Sequence, residues 1–256
     1  MSGLQIEQIP VLRDNYVYLA RDARSGACAA VDPSVAEPVL AALDRRDWRL
    51  THILNTHHHH DHVGGNLQLK RVTGCTIVGN RHDAHRIPGI DVFVADGEEV
   101  SLGEQTALVI DVSGHTIGHI AYWFREARAL FCGDTMFSLG CGRLFEGTPG
   151  QMWSSLTKLR ELPGDTRVYC GHEYTESNAR FALAVDPDNP ALRRRAEEVR
   201  ALRAEGRPTV PSTIAVERAA NPFLRADDPG LQQTAGLARG NPVAAFAEIR
   251  RRKDVF

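Results

Sequence analysis

The sequence has no long hydrophobic run. No apolar stretch approaches the roughly 18 residues that a membrane-spanning helix requires. The N-terminal segment MSGLQIEQIPVLRDNY also lacks the basic start and apolar stretch of a secretory signal. These absences predict a cytoplasmic protein that has no membrane partner.

The sequence also has almost no excess charge of either sign. It contains 30 Lys and Arg residues against 32 Asp and Glu residues, for a formal net charge of -2. Such a balance argues against a protein built mainly to cover nucleic acid or an anionic lipid surface. We therefore expect no nucleic-acid partner and a small-molecule substrate. As a separate expectation, the protein is a monomer.

Cysteine is scarce and shows no pairing pattern. The five cysteines are widely spaced and form no C-x-x-C motif, and an odd number cannot all pair within the chain. This usage favours a reducing compartment over a disulfide framework. We interpret most of these cysteines as small buried apolar residues.

The sequence is otherwise that of an ordinary globular protein. Its 256 residues, 43% hydrophobic and 24% charged, suit one large domain or two unequal ones. Short runs rich in β-branched and aromatic residues alternate with turns as far as residue 173. The predicted strands are QIEQIPVL, NYVYLA, ACAAVD, HILNTH, CTIVGN, VFVA, ALVIDV, IAYWF, ALFCGD and RVYCGH. Helical patterns lie between them, and Thr148 is a predicted N-cap that forms a capping box with Gln151. Together the strands and helices indicate an α/β or α+β class.

The chain changes character after Tyr174. Strand-like runs almost vanish, and Ala, Arg, Glu and Leu dominate. Asn189-Pro190 and Asn241-Pro242 are typical starts of helices. We therefore predict a first domain over residues 1–173 and a helical second domain over residues 174–256.

Histidine is the unusual residue, since five of the eleven lie between His57 and His62 in the pattern H-x-H-x-D-H. If the segment stays extended after HILN, the side chains of His57, His59 and Asp61 point one way. His58 and His60 then point the other way, and a turn begins at His62.

Three further strand-like runs end on a residue of the same chemistry, namely His115, Asp134 and His172. Strand ends are where sites assemble in open α/β sheets. Seven imidazole and carboxylate groups exceed the four ligands of one tetrahedral zinc, so two metal ions fit better than one. A carboxylate is the natural bridge between them. Zinc, iron and manganese all accept this ligand set. Coordination positions that remain open for water favour a catalytic site over a closed structural one.

These residues resemble the metallo-β-lactamase superfamily, whose H-x-H-x-D-H signature matches residues 57–62 without a gap. Within the superfamily the chain is most similar to the glyoxalase II (hydroxyacylglutathione hydrolase) family, over essentially its whole length. The matching motifs include Asp14-Asn15-Tyr16, Phe131-Cys132-Gly133-Asp134-Thr135, Gly171-His172-Glu173-Tyr174-Thr175, Asn221-Pro222-Phe223-Leu224-Arg225 and Arg250-Arg251-Arg252-Lys253-Asp254.

The resemblance implies a fold, a metal centre and a reaction. The fold would be an α+β, four-layer αβ/βα sandwich followed by a small helical domain. His57, His59 and His115 would bind one metal, and Asp61, His62 and His172 the other, with Asp134 bridging the two. The metals would be two divalent ions, zinc first, with iron or manganese as alternatives. A bridging hydroxide, oriented by Asp61, would attack S-D-lactoylglutathione and release D-lactate and glutathione, the second step of methylglyoxal detoxification.

The resemblance also implies a glutathione site. Its residues would be Arg143, Phe145, Tyr174, Arg250 and Lys253. Arg143 and Phe145 depart from the Lys and Tyr that are more usual in the family. Arg143 keeps the charge in a different geometry, whereas Phe145 lacks a hydroxyl that could bind the substrate.

Three alternative functions remain open at this stage. One is a persulfide dioxygenase of the same superfamily, which uses a single iron, although the terminal basic pattern and the helical domain argue against it. Another is phosphodiester cleavage, although the sequence shows no basic, aromatic-interleaved RNA surface. The third is a metal-binding module without turnover.

Overall fold

The computed structural model describes residues 3–237 and 239–256. By its internal contacts the chain divides into two compact units. The first comprises Met1–Asp111 and Gly118–Gly133, and the second comprises Val112–Ile117 and Asp134–Phe256.

The first unit begins with a six-stranded sheet whose strands follow chain order. The first three strands are antiparallel, and the next three are added in parallel. Three helices connect the parallel strands. The elements are β1 (Leu4–Val11), β2 (Asn15–Asp22), β3 (Cys28–Val31), α1 (Glu37–Arg46), β4 (His52–Leu54), α2 (His60–Val63), α3 (Asn66–Thr73), β5 (Thr76–Asn80) and β6 (Val92–Val94).

The same unit contains four further strands that pair in antiparallel order. They are β7 (Glu99–Leu102), β8 (Gln105–Asp111), β9 (Ile120–Phe124) and β10 (Ala129–Gly133). These strands face the first sheet, because the Tyr18 ring lies 5.5 Å from the Phe131 ring. The Tyr122 hydroxyl also donates to the Asn55 carbonyl at 3.0 Å. On the outer face of the first sheet, Val39 of α1 and Leu69 of α3 lie in its apolar core.

The second unit is mainly helical. Its elements are β11 (Met136–Phe137), β12 (Gly140–Cys141), α4 (Pro149–Arg160), β13 (Arg167–Cys170), α5 (Thr175–Val185), α6 (Pro190–Ala204), β14 (Ser212–Thr213), α7 (Ile214–Ala220), α8 (Pro229–Thr234) and α9 (Pro242–Asp254). Phe223 packs between the rings of Phe181 and Phe246, each 6.0 Å away. This aromatic cluster holds the last helix, α9, against α5.

The sequence predictions of strands and caps are confirmed. Each of the ten predicted runs contains a strand, and the Thr148 hydroxyl caps α4 in a capping box with Gln151. Four strands were not predicted, because they have two to four residues each and are too short to show a periodic pattern. They are β7, β11, β12 and β14.

None of the helices within the described part of the chain combines the length and the apolar character needed to cross a bilayer. All five cysteines are buried and unpaired with one another. Burial raises the pKa of Cys141 to about 11 and the pKa of Cys170 to about 12. Thiols held protonated in this way are packing groups, as the sequence predicts, and not nucleophiles.

Candidate active site

The first half of the histidine motif is held by a buried aspartate at the end of β3. Asp32 accepts the Thr56 backbone N–H at 2.7 Å and the Thr56 hydroxyl at 2.6 Å. It also accepts Nδ1–H of His62 at 3.1 Å. Because the Thr56 hydroxyl donates to Asp32, it accepts Nδ1–H from His57 at 3.1 Å. Both imidazoles are therefore fixed as the tautomer that presents Nε2 to a metal.

Asp32 has the position of a supporting group and not that of a ligand. Its carboxylate lies near both His57 and His62, as a metal ligand would. Both of its oxygens are, however, engaged by the three donors of Thr56 and His62. A carboxylate that orients metal-binding histidines is a common partner in such sites.

The expectation that the motif stays extended through Asp61 is wrong. The strand β4 ends at Leu54, and α2 begins at His60. The backbone N–H of His62 and that of Val63 both bond to the His59 carbonyl, which starts a helical turn. Asp61 and His62 are thus presented by a helix, whereas His57 lies in a bend after β4 and His59 directly precedes the helix.

Two buried side chains hold Asp61 in place. The Asn15 amide donates to the Asp61 carboxylate at 3.0 Å and to its carbonyl at 3.2 Å. The Ser34 hydroxyl donates to the same carbonyl. Because Asn15 is the first residue of β2, the β1–β2 hairpin sets the direction of the Asp61 carboxylate.

Two histidines that are not predicted ligands, His58 and His119, have defined partners beside the motif. His58 donates Nδ1–H to Asp83 at 3.0 Å and accepts from Arg86 at its Nε2. Arg86 closes this triad by bonding to Asp83. The His119 ring stacks on His57 with 4.5 Å between centroids. The Nδ1–H of His119 donates to the Ile120 carbonyl at 3.1 Å, so His58 and His119 both form local hydrogen bonds.

Glycine is required where β10 ends beside this motif. Gly133 has a φ of +47°, and a Cβ there would overlap the Thr56 hydroxyl. The residue therefore lets the backbone pass close to the network of Asp32 and Thr56.

The second unit contains the other three predicted ligands, and Asp134 lies between two of them. Its Oδ2 is 3.3 Å from Nε2 of His172 and 3.7 Å from Nε2 of His115. His115 donates Nδ1–H to the Arg143 carbonyl at 2.8 Å, so its Nε2 also faces the carboxylate. Two ligand atoms that share a tetrahedral zinc at about 2.0–2.1 Å lie about 3.3 Å apart. The donor set and its spacing therefore fit a divalent metal ion.

Aromatic side chains pack on these imidazoles. Tyr174 stacks on His172 with 4.7 Å between centroids and an interplanar angle of 5°. Phe137 meets both rings edge-on, and Phe145 meets His115 edge-on at 5.2 Å. Tyr174 and Phe145, which the sequence analysis assigns to substrate binding, thus lie directly beside predicted metal ligands. Phe145 is 63% exposed, so one face is accessible to a substrate.

Arg250 is more enclosed than a surface ligand-binding group would be. It is 6% exposed, and its guanidinium donates to the Cys141 carbonyl at 2.9 Å and pairs with Asp254 at 3.0 Å. It also lies over the Phe223 ring at 5.2 Å. Its buried Nε makes no hydrogen bond within the described residues.

Lys253 lies one turn beyond Arg250 on α9. Its ammonium contacts the rings of Phe181 and Phe256 at 5.4 and 5.5 Å and donates to the Ser177 hydroxyl at 3.2 Å. Burial, with the positive charges of Arg250, Arg180 and Arg143, lowers the pKa of Lys253 to about 8, while Asp254 opposes this shift. A group with this pKa carries its charge only below about pH 8.

The sequence analysis missed Asp32, Asn15 and Asp83 as supporting groups. Asp32 ends the run ACAAVD and therefore carries the same strand-end signal that identified Asp134. Asn15 lies in the matching motif Asp14-Asn15-Tyr16, but the motif does not show that it bonds to Asp61, 46 residues away. Asp83 does not lie at the end of a predicted strand, and its partner His58 is 25 residues away.

Comparisons with known proteins identify the family of this chain. A family model described as "Metallo-beta-lactamase superfamily" matches residues 12–172, and one described as "Hydroxyacylglutathione hydrolase C-terminus" matches residues 173–256. A hydroxyacylglutathione hydrolase of Methylococcus capsulatus is 62% identical over 253 residues, which are 99% of each chain.

Solved structures show the same fold. ETHE1 from Myxococcus xanthus superposes with a TM-score of 0.67 at 26% identity, covering 98% of this chain and 99% of that one. TTHA1623 in a di-iron-bound form gives 0.56 at 26% identity, covering 66% and 91%. The predicted fold class is confirmed as an α+β metallo-β-lactamase fold with a helical C-terminal part. The chain belongs to the hydroxyacylglutathione hydrolase family of the metallo-β-lactamase superfamily.

Proposed function

We propose that the protein hydrolyses S-(2-hydroxyacyl)glutathione, typically S-D-lactoylglutathione, to a 2-hydroxy acid and glutathione. The observation that carries this proposal is the position of Asp134 between the Nε2 atoms of His115 and His172. Membership of the hydroxyacylglutathione hydrolase family supports the substrate class.

The proposed metal centre contains two divalent ions, with zinc as the first expectation. Their ligands are His57, His59, Asp61, His62, His115, Asp134 and His172. When bound, such ions provide a hydroxide nucleophile at neutral pH and polarise the thioester carbonyl. Hydrogen bonds to Thr56, Asp32 and the Arg143 carbonyl fix the tautomers of three of these imidazoles, so that Nε2 of each is available to a metal. The three are His57, His62 and His115.

The protein's own side chains orient the attacking water and accept its proton. Asn15 fixes Oδ2 of Asp61, which directs this carboxylate to orient the attacking water and accept its proton. The leaving thiol has a pKa of about 8–9 and departs as a thiolate with little help from an acid. Because the thiolate leaves without being protonated, the proposed mechanism needs no general acid.

The proposed glutathione site lies in the second unit. Arg143, Arg250 and Lys253 provide positive charge for the glutathione carboxylates, and Phe145 and Tyr174 provide apolar contact. We retain residues 174–256 as the proposed substrate-binding domain and residues 1–173 as the proposed metal-binding domain.

Hydrolysis of S-D-lactoylglutathione by the purified protein tests the function. We expect rapid loss of the thioester with release of free thiol, abolished by a chelator and restored by added zinc. Parallel restoration with iron and manganese identifies the preferred metal. Absence of turnover in protein that contains two metal ions per chain would reject this substrate. Oxygen consumption with glutathione persulfide is then the next assay.

Lys253 should make substrate binding sensitive to pH. Because its pKa is about 8, the ammonium is present below that value and is lost above it. One pH unit above the pKa, only about a tenth of the molecules keep the charge, so KM should rise about tenfold while kcat changes little. Measuring KM and kcat on both sides of pH 8 tests this.

The matched control for that pH profile is Lys253→Arg, since a guanidinium stays charged throughout the range. We expect the rise in KM to disappear in this variant. An identical rise in both proteins would show that another group causes it.

A further inference from the structure

Glu217 of α7 is a fully buried carboxylate that no step of the reaction uses. It is 0% exposed, and its oxygens accept four hydrogen bonds. The donors are the hydroxyls of Ser138 and Ser212, the Leu139 backbone N–H and the Asn221 amide. Replacing a buried carboxylate that accepts four hydrogen bonds is costly, because the substitution leaves one or more of the donors without an acceptor.

Two of these donors lie in the turn between β11 and β12. The hairpin pairs Met136 with Cys141 and Phe137 with Gly140, so Ser138 and Leu139 form its tip. Leu139 has a φ of +58°, which costs a residue with a side chain about 1 kcal/mol or more. Glu217 accepts the N–H of this strained residue at 2.8 Å.

Two further side chains of the second unit, Asn221 after α7 and Asn178 of α5, hold the same hairpin. The Asn221 amide donates to the carbonyls of Phe137 and Gly140, and the Asn178 amide donates to the Ser138 carbonyl. The Leu139 side chain is buried among residues of α5, α6 and α7. The hairpin conformation is therefore imposed by the helices, with Glu217 as the only carboxylate that holds the tip among the described residues.

The hairpin leads directly to the metal ligands. Asp134 precedes β11 by two residues, and the Gly142 N–H bonds to the Thr135 carbonyl to close the hairpin beside it. The Phe137 ring packs against both His172 and Tyr174. A shift of the tip would move Asp134 and the ring that supports His172 together.

We propose that Glu217 is a positioning residue for the metal centre, acting through the β11–β12 hairpin on Asp134 and His172. This inference rests on the proposed function, because it takes those two residues as metal ligands. It links the C-terminal helices to metal binding as well as to substrate binding.

The test uses Co²⁺, whose visible absorption reports the ligand geometry, bound to the full-length chelator-treated protein. Groups that hydrogen-bond directly to metal ligands affect metal affinity or activity by about 10–100-fold, and we take the same range for Glu217, which acts on two ligands through the hairpin. We therefore expect Glu217→Gln to weaken Co²⁺ binding by about 10–100-fold, to alter the Co²⁺ spectrum and to lower kcat. KM should change by less than about threefold, since the glutathione contacts remain.

Ser212→Ala is the matched control. It removes one hydrogen bond from the same carboxylate but none from the hairpin, so we expect lower thermal stability with unchanged Co²⁺ affinity. Unchanged Co²⁺ affinity and kcat in folded Glu217→Gln would overturn the proposal, as would an equal loss in Ser212→Ala.

If Glu217→Gln does not fold, Ser138→Ala is the second test, because it removes the hairpin hydroxyl that donates to Glu217. The same hydroxyl accepts from Arg195 at 3.4 Å, but Arg195 keeps its shorter bond to the Thr209 carbonyl at 2.7 Å. We then expect Co²⁺ affinity to fall by about 3–10-fold, in line with one lost hydrogen bond, and no fall would overturn the proposal. If the wild-type protein binds Co²⁺ but hydrolyses no glutathione thioester, the proposed function fails. The Co²⁺ affinities still decide the role of Glu217 in that case.

Discussion

Asp134→Ala should remove both metal ions and reduce kcat by about 10³-fold or more. Asp134 is 6% exposed and is the carboxylate between His115 and His172 in the second unit. Its removal leaves two neutral imidazoles there, with no charge to balance a divalent ion. Metal content per chain, measured by atomic emission, and thioester hydrolysis together test this result.

Asp188→Ala is the control for that substitution. Asp188 is an exposed aspartate that pairs with Arg193 on the surface, so its loss should change neither metal content nor kcat. A full complement of metal and a normal kcat in Asp134→Ala would rule out Asp134 as a bridging ligand.

Asp32→Asn should weaken metal binding by about 10–100-fold and destabilise the protein by about 2–3 kcal/mol. Asp32 accepts from three donors, and an amide in its place presents N–H groups to one or more of them. The backbone itself should tolerate the change, because Asp32 has a φ of +50° and asparagine adopts this region readily. The variant therefore isolates the loss of the carboxylate.

Asp22→Asn is the matched control, since Asp22 is an equally buried aspartate of the first unit. It accepts from Ser25 and Glu104 and has no predicted ligand among its partners. Chemical denaturation of chelator-treated protein should show destabilisation in both variants, whereas competition with a chelator should show weaker metal binding only in Asp32→Asn. Equal metal affinity in Asp32→Asn and the wild type would refute a supporting role for Asp32.

Local pattern was sufficient to predict most strands and several helix starts. The ten strand-like runs are each bounded by turn residues, and Thr148, Asn189 and Asn241 have caps that act within three residues of chain. Such signals are local, so the sequence displays them directly. The course of the chain after His59 was not predictable in this way, because extended and helical backbones are both compatible with its polar residues.

The sequence by itself determined which side chains are available for metal chemistry, through the H-x-H-x-D-H motif and the strand ends at His115, Asp134 and His172. The tertiary structure alone decided that His57, His62 and His115 present Nε2, and how Asp61 is directed. It also decided that Glu217 holds a hairpin 78 residues earlier in the chain. Residue type and spacing are local properties, whereas hydrogen bonds that set tautomer and orientation join residues that only folding brings together.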